Sequence, residues 1–200
     1  SEPNLIYCIT KKQAELLCRG FAHNYNIQVH ILRYYNVYGP HMDFKRRSPP
    51  FVSYIVRELL QKRRPTLYSK GEAARDYIYI DDVNELHFKL LEADNLANCS
   101  VFNVGSGKEY TVPEIYKYVQ DYIGTDISPI FNDPRTFWDK YPGLFSGEYP
   151  LNRGIIEKEV HKRSLADITQ ARKRLDWEPR VDIKQGLQQC VDFVRHKMRD

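Results

Sequence analysis

Tyr7 and Lys11 are residues whose types and spacing could do proton chemistry on an alcohol. Residues four apart on a helix share one face, so the phenol and the ammonium would lie close together. A cation held beside a phenol favours the phenolate, which can take a proton from a hydroxyl group. Taken alone, the pair is weak evidence, because an exposed helix pair produces the same spacing.

The apolar pattern predicts the elements that would position this pair. A helix is expected around Tyr7 and Lys11 and should end near residues 24–26. The β-branched and aromatic residues 27–34 predict a strand, which the Gly39-Pro40 break ends. Later helices are predicted at 51–62, 83–91, 112–123, 165–175 and 183–197, and later strands at 66–68, 77–80 and 101–104. Strands that alternate with helices indicate an α/β architecture.

Composition is that of a soluble globular protein, with 42% hydrophobic residues, 28% charged residues and a net charge of +4. This small charge gives no argument for nucleic acid, and no run approaches the roughly 18 apolar residues of a membrane helix. The four cysteines lack metal-type spacing, and neither His41 nor His161 has a partner pattern that would make it a metal ligand. We therefore expect reduced thiols in a cytoplasmic protein, with no metal, nucleic acid or membrane as a partner.

Five groups of residues, taken in order, resemble a known family. They are the Tyr7–Lys11 pair with Pro3 and Glu15 around it, and the segments RYYNVYGP at 33–40, RDYIYIDDV at 75–83, FNVGSG at 102–107 and LDWEP at 175–179. In this order and at these spacings they resemble the extended short-chain dehydrogenase/reductase family, the NAD-dependent epimerases and dehydratases of nucleotide sugars. The resemblance runs from about Pro3 to Val191, nearly the whole chain.

The resemblance implies a fold in two parts. Residues 1–40 would be the last elements of a Rossmann-type NAD(P)-binding domain, and residues 41–200 would be mainly a smaller mixed α/β substrate-binding lobe. Some of the later segments would return to the Rossmann sheet. The sequence contains no GxGxxG or GxxGxxG motif, and Gly105-Ser106-Gly107 is only a distant approximation. We therefore expect the C-terminal portion of a longer enzyme, inactive as an isolated 200-residue chain.

The resemblance also implies a role for each site residue. Tyr7 would be the catalytic acid/base, and Lys11 would stabilise its phenolate and bind the nicotinamide ribose. Tyr34 would border the cofactor, which is NAD or NADP. Asn36 would contact the substrate near its phosphates, and Arg75 would bind the diphosphate with its guanidinium fork. The implied substrate is a nucleotide-diphosphate sugar.

Several of these residues have structural alternatives. Tyr34 could be a core aromatic residue, Asn36 could stabilise the following turn, and Arg75 could pair with Asp76 or Asp81. Asp81 and the adjacent Asp82 are expected to be helix caps rather than catalysts, and the Lys45-Arg46-Arg47 cluster is expected to be a solvated loop. Asn103 and Gly105 are expected to shape a strand end rather than contact a ligand.

Residues 134–159 form a proline- and aromatic-rich segment that is longer than most members of the resembled family carry. It falls where the family builds its sugar-nucleotide pocket, so Trp138, Tyr141 and Phe145 could stack on a base or a sugar. The same rings could instead cover the core or a subunit contact.

Two classes of function remain open from the sequence. The chain could belong to an epimerase or dehydratase that uses Tyr7 and Lys11 in hydride transfer at a sugar carbon. Alternatively it could be a non-catalytic nucleotide-sugar-binding or structural homologue. Members of the family are commonly homodimers joined through the helix that carries the tyrosine. We expect the same of the full-length protein, with Leu16, Leu17 and Phe21 either in that contact or packed inside the protomer.

Overall fold

The computed structural model describes residues 5–94 and 96–199, and Pro3 lies outside them. In those ranges the α-helices are α1 Ile6–Tyr25, α2 Phe51–Leu60, α3 Ile80–Glu92, α4 Val112–Ile123, α5 Gly154–Val160, α6 Thr169–Leu175 and α7 Ile183–Lys197. The strands are β1 Ile31–Tyr34, β2 Asn36–Tyr38, β3 Thr66–Leu67, β4 Ala74–Tyr79, β5 Val101–Val104, β6 Glu109–Thr111, β7 Ile130–Phe131 and β8 Arg163–Ser164. Short 3₁₀ helices cover Pro134–Lys140 and Pro142–Phe145.

The strands form mixed α/β sheets with parallel pairs. β1 pairs with β5 in parallel, while β2 pairs in parallel with β4, which also pairs antiparallel to β6 and parallel to β8. Tyr35 stands between β1 and β2, and its N–H donates to the Val104 carbonyl at 2.9 Å. The chain therefore passes from the first sheet to the second between Tyr34 and Asn36. The α/β class predicted from the sequence is confirmed.

Two hydrophobic clusters hold these layers. In the first, α2, α4 and α7 pack together over β2 and β4, with Ile55, Ile115 and Leu187 almost fully buried. The second lies between β5, α3 and α6, and its largest member is Trp177. The indole N–H of Trp177 donates to the Asp82 carbonyl at 3.0 Å, so this buried polar group is satisfied.

The long helix α1 is exposed along most of its length. Ala22 is its one buried residue, although the sequence gives it an apolar face. Leu16, Leu17 and Phe21 are 58%, 64% and 54% exposed. These side chains therefore do not pack inside this chain, one of the two alternatives expected for them.

Element boundaries differ from the prediction in places that have a physical cause. The strand expected over 27–34 begins only at Ile31, because the pairing with β5 begins there. Asp81 and Asp82 are not N-caps: the helix begins at Ile80, and Tyr79 is its N-cap residue. The Asp82 carboxylate instead accepts hydrogen bonds from the backbone N–H groups of Arg180 and Val181, at 2.9 and 3.2 Å.

No helix within the described ranges is long and apolar enough to cross a membrane. In the same ranges, His, Cys, Asp and Glu side chains form no group of three or more that could hold a metal ion. The four cysteines are free thiols, and Cys190 is buried.

Candidate functional site

Tyr7 and Lys11 lie together near the start of α1. The Lys11 Nζ atom is 5.5 Å from the centroid of the Tyr7 ring. Tyr7 is 69% exposed, so its hydroxyl group is open to a ligand. The structure therefore shows the shared face that the spacing predicts, whereas the catalytic role of the pair stays a prediction.

An ion pair fixes α1 against β1. The Arg33 guanidinium donates two parallel hydrogen bonds to the Glu15 carboxylate, each at 2.7 Å. These bonds hold the pKa of Glu15 below its ordinary value. Glu15 follows Lys11 by one helical turn, and Arg33 precedes Tyr34 in β1. The pair thus sets the position of the helix that carries Tyr7 relative to the strand that ends in Tyr34.

Tyr34 is half exposed and is bonded to α3, so it is not the core aromatic residue considered as an alternative. Its ring stacks on His87 with centroids 5.9 Å apart, and its hydroxyl oxygen lies 2.8 Å from His87 Nε2. His87 Nδ1 lies 2.8 Å from the Val83 carbonyl, which can only accept a hydrogen bond. A neutral His87 therefore carries its proton on Nδ1 and accepts from Tyr34 at Nε2. Burial raises the pKa of Tyr34, which favours this donating hydroxyl.

Asn36 and Arg75 line a cavity of about 760 Å³. It is lined by side chains of β2, β4 and β6, and by side chains of α2 and β3. The 3₁₀ segment Pro134–Lys140 also lines it, and Arg47 contributes from the loop before α2. The structure therefore brings the two predicted substrate residues together. Tyr7, Lys11 and Tyr34 are not part of this lining.

Main-chain groups hold Asn36 and Arg75 in place. Asn36 Nδ2 donates to the Asp76 carbonyl at 2.8 Å, so its side chain binds the neighbouring strand rather than the turn that follows. Arg75 Nη1 donates to the carbonyls of Ala74 and Lys162. Arg75 does not pair with Asp76 or Asp81, the alternative expected from the sequence. Its Nε and Nη2 atoms have no acceptor among the described residues and remain available to a ligand.

Asp76 is a residue that the sequence analysis missed as a support of the site. Its side chain is fully buried, and its carboxylate accepts from the Ser106 N–H at 2.6 Å and from the Ser106 hydroxyl at 2.8 Å. It also accepts from the N–H groups of Gly107 and Ala166, at 2.9 and 3.1 Å. A Cβ atom at Gly105 would lie 2.9 Å from Asp76 Oδ2, so glycine is needed for this close approach. Gly105 therefore shapes the strand end, as expected.

The cavity has more positive than negative side chains. Arg47, Arg75 and Lys140 line it, and in the described part of the chain none of them has a carboxylate within ion-pair distance. Glu159 also lines the cavity, but it pairs with Lys162 at 3.1 Å. Arg47 therefore faces this cavity, whereas the sequence favoured a merely solvated loop. Uncompensated cations of this kind suit an anionic ligand.

Residues 2–105 match the model of the NAD dependent epimerase/dehydratase family, which is about half of the chain. The chain belongs to this family. UDP-glucuronic acid decarboxylase 2 of Arabidopsis thaliana is 30% identical over 94% of this chain and 36% of that protein. UDP-glucuronate 4-epimerase of Thermodesulfobacterium geofontis is 27% identical over 96% of this chain and 51% of that protein.

Among solved structures, the chain is similar to UDP-glucose 4-epimerase of Thermotoga maritima with UDP-glucose. The TM-score is 0.78 and the identity 28%, over 98% of this chain and 55% of that one. The resemblance drawn from the motifs is thus confirmed at the level of fold and family. The chain spans about half the length of this epimerase, so the activity of a whole protein is a matter of proposal.

Proposed function

We propose that the chain carries the tyrosine–lysine pair and the substrate-binding lobe of an NAD(P)-dependent nucleotide-sugar epimerase or dehydratase. The observation that supports this most is the cavity in which Asn36, Arg47, Arg75 and Lys140 face one space with uncompensated positive charge. A diphosphate linked to a nucleoside and a sugar has the charge and the size for such a cavity. Family membership and similarity to a UDP-sugar epimerase support the same class of substrate.

In the proposed reaction, Tyr7 takes a proton from a hydroxyl group of the sugar and later returns one. Lys11 stabilises the phenolate form of Tyr7 and binds the ribose of the nicotinamide nucleotide. The nicotinamide, when bound, supplies hydride acceptance and return at the sugar carbon. The exposed Tyr7 hydroxyl beside Lys11 fits this role, and Tyr34 would border the cofactor.

The proposal divides the chain as the sequence predicted. Residues 1–40 would complete a dinucleotide-binding domain, and residues 41–200 would form mainly the substrate lobe. The parallel pairing of β5 with β1 supports the return of a later segment to the first sheet. Since the sequence has no glycine-rich phosphate loop, the 200-residue chain alone would bind the substrate without turnover.

A non-catalytic homologue that binds nucleotide sugars is the second candidate. The absence of a glycine-rich phosphate motif from the sequence favours it, whereas the Tyr7–Lys11 pair favours an enzyme. The homodimer and the cytoplasmic location stay predictions. The homodimer is supported by three exposed apolar side chains of α1, Leu16, Leu17 and Phe21, and light scattering of the full-length protein tests it. Cell fractionation tests the cytoplasmic location.

Replacing Arg75 tests the proposed substrate. Arg75→Ala should weaken binding of UDP-glucose to the chain by about 10- to 100-fold, because charge-assisted hydrogen bonds to the diphosphate are lost. Isothermal titration calorimetry measures this affinity. Arg172→Ala is the matched control, since Arg172 lies on α6, pairs with Glu178 and does not line the cavity. Unchanged affinity in Arg75→Ala, or equal loss in both variants, would reject the assignment.

A further inference from the structure

Lys45, Arg57, Arg63 and Lys197 line a second cavity, of about 440 Å³, which we call the basic pocket. No acidic side chain of the described residues lines it. The basic pocket shares no lining residue with the cavity that contains Arg75. Its volume is in the range of cavities that bind small molecules, so it is large enough for a ligand of its own.

Glu58 orients two of these cations. Arg57 Nε donates to the Glu58 Oε1 atom at 2.9 Å, and Arg63 donates to both carboxylate oxygens, at 2.7 and 2.8 Å. Because both guanidinium groups contact the same Oε1 atom, they lie side by side. Arg57 Nη2 and Arg63 Nη1 have no acceptor in the part of the chain that the structure describes. Each guanidinium group therefore keeps a donor for a ligand.

The loop before α2 also contributes to the basic pocket. Arg57 Nη1 donates to the carbonyls of Phe44 and Arg46, at 3.0 and 3.2 Å, and the Arg57 side chain is only 18% exposed. A guanidinium group that is fixed in this way loses little conformational freedom when a ligand binds. The Lys45 Nζ atom lies 5.9 Å from the Phe44 ring centroid, and no carboxylate of the described residues is within ion-pair distance of it.

The ends of two helices offset part of this positive charge. Gln61 is the C-cap residue of α2 and Met198 that of α7, and both line the basic pocket. Each helix end carries about half a negative charge, so the two ends and Glu58 together supply about two negative charges. This is less than the charge of the three lining cations other than Lys197. The basic pocket therefore keeps positive charge that neither the helix ends nor Glu58 neutralises.

We propose that the basic pocket binds a small molecule that carries two linked phosphate groups. Arg57 and Arg63 stand side by side, so each can donate charge-assisted hydrogen bonds to one of the two phosphates. Lys45 adds a third positive charge from the neighbouring loop. The inference goes beyond the proposed function and does not rest on it, because the two cavities are lined by different residues.

Isothermal titration calorimetry of the chain with pyrophosphate counts the anion sites. The wild-type chain should bind two molecules, one in the basic pocket and one at Arg75. Lys45→Ala should weaken the first site by at least about fivefold, because a charge-assisted hydrogen bond is lost, and Arg75→Ala should weaken the second. Lys62→Ala is the matched control for Lys45→Ala, since Lys62 is exposed just after α2 and lines neither cavity.

A conservative variant and two further ligands sharpen the assignment. Arg63→Lys keeps the positive charge but loses the guanidinium fork, so it should weaken the same site as Lys45→Ala. Orthophosphate should bind to this site at least about tenfold more weakly than pyrophosphate, because it cannot reach both guanidinium groups with separate phosphates. ADP separates two sources of a diphosphate: tighter binding than pyrophosphate assigns the basic pocket to a nucleotide, and weaker binding assigns it to a free diphosphate.

The outcomes distinguish this site from the substrate cavity. A single pyrophosphate site that Arg75→Ala weakens and Lys45→Ala leaves intact would overturn the inference. Equal losses in Lys45→Ala and Lys62→Ala would also overturn it, because they indicate a general attraction of anions to a positive surface. Orthophosphate that binds as tightly as pyrophosphate would contradict a diphosphate ligand. A single site that Lys45→Ala weakens and Arg75→Ala leaves intact would support the basic pocket and count against the proposed function.

Discussion

Tyr7 is the residue on which the proposed proton transfer depends. It is exposed, and its ring contacts the Lys11 ammonium. Tyr7→Phe removes the proton-transfer group and should lower the turnover of the full-length enzyme by at least about 100-fold. A steady-state assay of a UDP-sugar with NAD measures this. Stability and affinity for the UDP-sugar should be unchanged.

Tyr25→Phe is the control for this substitution, because Tyr25 lies on the same helix and is 68% exposed. Its turnover should equal that of wild type. Near-normal turnover of Tyr7→Phe would remove the residue from the mechanism.

The sequence could predict residues whose partners are near in the chain, and it missed those whose partners are distant. Tyr7 and Lys11 are one helical turn apart, so their contact follows from helix geometry. Asp76 instead binds Ser106 and Ala166, which are 30 and 90 positions away. Nothing in the pattern around an acidic residue in an apolar strand identifies such partners. His87, 53 positions from Tyr34, was missed for the same reason.

At the scale of elements, local signals set the boundaries that were predicted well. Thr111 and Glu114 form a capping box at the start of α4, and the helix begins where this signal places it. Asp81 and Asp82, which precede the helix predicted at 83, are not N-cap residues, although the sequence favoured that role. Asp82 caps no helix because its carboxylate binds the chain before α7, a contact that only the tertiary fold creates.

Glu58 on α2 connects the basic loop to the body of the molecule. Arg63 binds its carboxylate through two hydrogen bonds, at 2.7 and 2.8 Å, and Arg57 through a third at 2.9 Å. Arg57 also donates to the carbonyls of Phe44 and Arg46, at 3.0 and 3.2 Å. This network holds the loop that carries Arg47 to the cavity.

The network predicts a pH dependence of stability. Hydrogen bonds from Arg63, and then from Arg57, hold the pKa of Glu58 below its ordinary value of 4.5. Its contribution is therefore full above pH 4.5 and is lost as the pH falls through the lowered pKa. Glu58→Gln should lower the free energy of unfolding by about 1–2 kcal/mol at pH 7, and by less as the pH drops below 4.5.

Urea unfolding followed by circular dichroism at several pH values measures this difference. Glu92→Gln is the control, because Glu92 is exposed at the end of α3. A difference between wild type and Glu58→Gln that stays constant from pH 7 to acid would contradict the role given to Glu58.

At the scale of the whole molecule, the family and the α/β architecture could be predicted from the sequence, because five groups of residues keep the order and spacing of the family. The shape of the cavity could not be predicted, because it depends on how the segment at 134–140 packs against Tyr68, which follows β3. The sequence predicts residues 126–159 as a long ordered loop without regular elements, whereas β7 and both 3₁₀ helices lie in this segment and α5 begins in it. Short elements of this kind have no strong periodic signal.

The central claim is that this chain holds the substrate cavity of a nucleotide-sugar enzyme but lacks the glycine-rich turn that binds the cofactor phosphates. Isothermal titration calorimetry of the 200-residue chain with UDP-glucose and, separately, with NAD tests it most directly. The account predicts saturable binding of UDP-glucose and no measurable binding of NAD. Failure to bind UDP-glucose, or binding of NAD with micromolar affinity, would contradict it.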